Sequence, residues 1–109
     1  MTVEYDQLEG TPSNLTPMPL SVVSHLKPGD EVYIWWAKDG DLRDVRVNET
    51  CTVRSAQPFK RLFSSGISLG IDDGDIEIPD RDVAADPDWN CTEWGGRGLA
   101  YFYYPPDEG

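Results

Sequence analysis

Large aromatic side chains and carboxylates are the residue types here with chemistry to offer. Trp35, Trp36, Trp89, Trp94, Tyr101, Phe102, Tyr103 and Tyr104 are more rings than one small core encloses. Side chains alternate across a strand, so some of these rings must leave the core face. Exposed rings beside carboxylates bind cations through their π-faces and offer flat walls to a polyproline helix. The expected contact patch is Tyr33, Trp35, Trp89, Trp94, Tyr101 and Tyr103, with Asp73 and Asp75 as acidic neighbours that attract a basic ligand. The expected partner is a protein or a basic or proline-rich peptide. The competing reading is coverage of the rings by the proline-bearing N-terminal segment (Pro12, Pro17, Pro19) or by a second copy in a homodimer.

Other chemistries find less support. His25 is the only histidine, and no serine elbow or cysteine stands near it to make a nucleophile–base pair. One histidine with two distant cysteines gives no zinc-type spacing. Asp72, Asp73, Asp75, Glu77, Asp80 and Asp82 offer oxygen ligands to a hard cation. Their spacing is not that of a helix-loop-helix calcium loop, and alternation with Ile76 and Ile78 sends Asp75 and Glu77 to water. With 20 acidic residues in 109, close carboxylate pairs are no sign of acid–base catalysis. No catalytic residue, metal site or cofactor is expected, and the chain reads as a non-enzyme.

The formal charge of −11 repels nucleic-acid phosphates and anionic membranes, so direct binding to either is not expected. Aspartate-rich, lysine-poor composition also resembles that of proteins from salt-loving cells, where excess carboxylates keep a chain soluble. An alternative role follows from the same charge: an acidic mimic of nucleic acid that occupies a basic site on a partner protein. No apolar run reaches transmembrane length. The opening Met1-Thr2-Val3-Glu4-Tyr5-Asp6 lacks the basic and apolar regions of a signal peptide, which makes the cytoplasm the expected location. Cys51 and Cys91 then read as reduced thiols. Asn14, Asn48 and Asn90 all stand in Asn-x-Thr triplets, read as coincidence without export.

The elements that must position these residues are short strands. Residues 1–19 read as an extended tail. Residues 20–26 make a helical turn, with Ser21 as its cap. The stretch 31–37, rich in β-branched and aromatic residues, is the clearest strand. Asp39-Gly40 turns it back. The return strand, about 42–55, is long enough to bend and serve two sheets, with Val45, Val47, Cys51 and Val53 facing in. Residues 58–65 connect, with a local basic pair, Lys60-Arg61. A third strand covers 66–71, Asp73-Gly74 turns, and a short fourth strand around Ile76 and Ile78 ends at Pro79. A 3₁₀ turn over 82–86, a two-tryptophan loop over 87–97 and a last strand over 98–104 follow. Residues 105–109 form an acidic tail.

This order resembles the SH3-like small barrels, the group that includes Tudor and KOW-type domains. The resemblance lies in Leu26-Lys27-Pro28-Gly29-Asp30-Glu31-Val32-Tyr33-Ile34 and in Ile71-Asp72-Asp73-Gly74-Asp75-Ile76-Glu77-Ile78-Pro79-Asp80-Arg81-Asp82-Val83. It implies an all-β fold: a five-stranded barrel over residues 20–104, with short 3₁₀ or helical turns. It also points to a protein-interaction module. The long segment before the last strand departs from the pattern and bears on strand order.

Overall fold

Alternating apolar residues on short strands force this chain into layers, because a sheet with one apolar face must bury it against another element. The computed structural model describes residues 14–38, 44–72, 74–93 and 98–106. In chain order these form α1 (Leu20–Val23), β1 (Glu31–Lys38), β2 (Val45–Thr52), β3 (Ser55–Lys60), β4 (Ser65–Ile71), β5 (Gly74–Pro79), α2 (Asp80–Ala85), β6 (Cys91–Glu93) and β7 (Gly98–Tyr103). Two antiparallel sheets result, ordered β2-β1-β7-β6 and β3-β4-β5. The fold is mostly β. The described residues thus show seven strands in two sheets rather than five in one, and no strand pairing among them closes a barrel.

The corner between the sheets is Val53-Arg54. The Val53 amide donates to the Asp30 carbonyl (2.8 Å), and the Arg54 amide donates to the Gly70 carbonyl in the other sheet (2.7 Å). The return strand therefore does bend and serve two sheets, but its second leg continues to Lys60 through Pro58. Proline is tolerated there because β3 is an edge strand, where a missing N–H need not cost a ladder bond.

The inter-sheet core contains Val32, Ile34, Val47, Val53, Leu69, Ile71, Ile76, Ile78 and Phe102, capped by Met18, Leu20, Val23 and Leu26. Val45 departs from the expected inward parity and is 38% exposed. Trp36 pairs with Val47 but Ala37 with Val45, so Arg46 is an extra residue that reverses the alternation.

Three local readings change. Pro19, not Ser21, occupies the N-cap of α1, without a side-chain hydrogen bond. The expected 3₁₀ turn is the α-helix α2, whose first turn carries Asp80 and Asp82, favourable charges at a helix start. The expected loop 87–97 contains β6, three residues long and too short to display a period in sequence.

Candidate functional site

The described rings of the predicted patch are buried or half-buried. Trp35, Tyr101 and Tyr103 are buried, at 1%, 4% and 0% exposure, and Tyr33 and Trp89 are half-buried. Asp75 is exposed on β5, while Trp94 and Asp73 lie outside the described residues. The rings occupy the face of the four-stranded sheet turned away from the inter-sheet core, packed with Leu15, Trp89, Cys91 and Leu99. They meet edge to face: Tyr33 with Tyr103 at 6.2 Å, Trp35 with Tyr101 at 5.7 Å, and Trp89 with Tyr101 at 6.2 Å. The Tyr33 hydroxyl donates to Asn48, whose carbonyl and side-chain oxygen lie at 3.0 and 2.9 Å. Alternation correctly removes these rings from the inter-sheet core, but that does not expose them.

Backbone pairing extends the sheet beside these rings and places Leu15 against them. The Tyr104 amide donates to the Thr16 carbonyl (2.9 Å), the Met18 amide to the Phe102 carbonyl (3.0 Å), and Pro17 bridges to Tyr103. The described end of the N-terminal segment thus lies along β7 like an added strand. Just beyond it, Asn90 holds the same strand twice. Its carbonyl accepts from the Phe102 amide (2.8 Å) and its side-chain amide donates to the Phe102 carbonyl (3.0 Å). Burial pushes the Tyr101 phenol up from its ordinary value, and neighbouring Cys91 adds to the shift.

The surface that does face solvent lies on the other sheet. The register places three rows across its outer face: Ser55–Gly70–Asp75, Gln57–Ser68–Glu77 and Phe59–Gly66–Pro79. A Cβ at Gly70 would run into Ser55 Oγ, which leans over that position beside Asp75. A Cβ at Gly66 would instead strike main-chain atoms of Ile78, Pro79 and Asp80. A groove of about 380 Å³ runs along this face between Ser55, Gln57, Phe59, Ser68, Asp75 and Glu77.

At the end of the groove the β3–β4 hairpin turns through residues 61–64, closed by the Arg61 amide donating to the Ser64 carbonyl (2.6 Å). Leu62 and Phe63 stand 86% and 87% exposed at its tip. Lys60, Arg61 and Arg81 surround them, lining a second hollow of about 440 Å³ with Ser64, Ser65 and Asp80. Arg61 borders both hollows. Its guanidinium lies 5.3 Å from the Phe59 ring centroid and bonds both carboxylate oxygens of Glu77. The Glu77 hydrogen bond raises the Arg61 pKa above its ordinary value.

Sequence reasoning missed Leu62, Phe63, Phe59 and the Arg61–Glu77 pair as surface features. The available signal was the Lys60-Arg61 pair followed directly by Leu-Phe and two serines, apolar residues with no strand alternation to bury them.

The remaining candidates fall into place. His25 is exposed at the end of α1, its Nδ1 donating to the Ser21 carbonyl (2.9 Å). Among the described residues no three His, Cys, Asp or Glu side chains group as metal ligands. Cys51 and Cys91 are thiols. They sit on β2 and β6, at opposite edges of one sheet, so three strand spacings of roughly 4.8 Å separate them and no disulfide can span the gap. Asn90 is 1% exposed, so its triplet cannot accept a glycan in the folded chain. Among the described residues no helix is long and apolar enough to cross a membrane. No protein-family model, curated protein or solved structure matches the chain.

Proposed function

We propose that this chain is a non-enzymatic protein-interaction module on an SH3-like framework, working in the cytoplasm through the outer face of β3-β4-β5 and the β3–β4 tip. The framework reading draws support from connectivity. One bent run, β2 into β3, is shared between the sheets, and a short helix precedes a last strand that pairs with the first. This connectivity is similar to the order expected of an SH3-like barrel, with β6 added.

The observation that carries the functional reading is Leu62 beside Phe63. Among the described residues, these two adjacent large apolar side chains stay almost fully in water, whereas the other exposed ones, Val22, Val45 and Tyr104, keep more than half of their surface covered. Covering each would gain roughly 1.5–3 kcal/mol, which a partner can supply. The mimic reading draws less support, because Arg46, Arg54 and Arg61 engage Asp44, Asp72 and Glu77 and break up the acidic surface.

A photo-crosslinking amino acid at position 63, introduced in the cell of origin, tests the proposal. One dominant protein adduct, lost when Leu62→Ser is added, is the expected result. No adduct, or adducts in proportion to protein abundance, would remove the tip as a docking element.

A further inference from the structure

The Arg61–Glu77–Phe59 contact has the composition of a binding site. A guanidinium is a planar fork that matches a carboxylate through two parallel hydrogen bonds and rests on an aromatic face. Glu77 supplies the carboxylate and Phe59 the ring, and they project from neighbouring rows of one sheet face. Sheet strands hold both, so the pair is positioned in advance of any ligand. The group that fills the position, by contrast, comes from a hairpin loop.

We infer that Glu77 and Phe59 form an arginine-recognition site, held in the free protein by Arg61 of the same chain and open to an arginine side chain of a basic partner segment. This deepens the interaction-module reading, since the arginine belongs to the partner. Three observations support it. First, the occupant is not sealed in: the Arg61 side chain is 56% exposed, whereas Glu77 beneath it is 12% exposed. Exchange of one partly solvated arginine for another therefore costs little net electrostatic energy. Second, the site does not end at the guanidinium. The groove continues along Ser68, Gln57, Ser55 and Asp75, polar side chains that extend contact to the backbone flanking an incoming arginine. Third, the chain's net charge of −11 attracts a basic segment at long range, and exposed Asp75 lines the groove although Lys60, Arg61 and Arg81 gather at the tip. Lysine fits less well, because its ammonium cannot form the paired bonds.

Displacement lowers apparent affinity by the fraction of time Arg61 vacates the site. If Arg61 holds the site about nine-tenths of the time, removing it tightens binding about tenfold.

The experiment is a calorimetric or NMR titration of the full chain with acetyl-Gly-Gly-Arg-Gly-Gly-amide and its lysine and citrulline counterparts. Arg61→Ala is expected to bind the arginine peptide about tenfold tighter than the parent, with no such gain for lysine or citrulline. Adding Glu77→Gln is expected to abolish the gain. Equal affinity of parent and Arg61→Ala, an equal gain for the lysine peptide, or a gain that survives Glu77→Gln would each overturn the inference. Arg61→Gln serves as a second variant if Arg61→Ala does not fold. The crosslink at position 63 does not pass through Glu77. Its survival beside a failed titration would remove this site and leave the docking tip standing.

Discussion

Trp35 and Tyr101 oppose each other across the β1–β7 pair, their ring centroids 5.7 Å apart and their planes at 77°. The contact belongs to a second apolar layer on the far face of the four-stranded sheet, so both rings support the fold. Trp35→Ala is therefore expected to cost about 3–5 kcal/mol in urea unfolding, as large-to-small changes at buried aromatics do. A variant that keeps its stability would return Trp35 to the surface.

The same layer sets an alkaline limit. Tyr101 has its phenol raised above the ordinary value of 10.0, chiefly by burial. The folded state therefore favours the neutral phenol more than the unfolded state does. That contribution is complete below the unfolded value and is lost as pH climbs above 10. Tyr101→Phe is expected to flatten the fall in stability measured by denaturant titration above that pH. An unchanged slope would show that Tyr101 ionises freely in the fold.

The glycines of β4 separate two kinds of close approach. Gly70→Ala sets a methyl against the Ser55 hydroxyl, whereas Gly66→Ala sets one against the backbone where β5 enters α2. Overpacking of this kind costs about 1–3 kcal/mol. Ser55→Ala is expected to restore most of the stability lost in Gly70→Ala and none of that lost in Gly66→Ala. A double-mutant cycle on urea midpoints checks this, and equal rescue at both positions would contradict the geometry.

Excess negative charge gives a further expectation. Self-repulsion among carboxylates at a net charge of −11 weakens the compact state, and salt at about 1 M shortens the screening length to about 3 Å. The melting temperature is expected to rise steadily with KCl toward molar concentrations. A flat or falling curve would argue against carboxylate repulsion as a limit on the stability of this chain.

Much of the architecture is legible in the residues, and the reasons for the rest are physical. Period-two alternation shows the strand Ser65–Ile71 with its inner face, and in Glu31–Lys38 it separates two faces that are both buried. Proline at 58 hides β3, because the sequence does not show that this strand lies at an edge. Cys91–Glu93 is visible only through its pairing with β7. The site is less legible for a related cause. Alternation decides which face of a strand a ring takes, not whether another segment covers that face, and the cover comes partly from Leu15 and Trp89, remote in sequence from β1. Exposure of Leu62 and Phe63 was equally hidden, since apolar residues in a turn look the same whether the turn folds under or stands out.

Hydroxyl-radical footprinting read by mass spectrometry, native against urea-unfolded chain, tests the central claim most directly. Leu62 and Phe63 are expected to oxidise at nearly their unfolded rates, while Trp35 and Tyr103, although the more reactive residue types, are strongly protected. Fast oxidation of Trp35 and Tyr103 together with protection of Phe63 would reverse the assignment of core and contact surface.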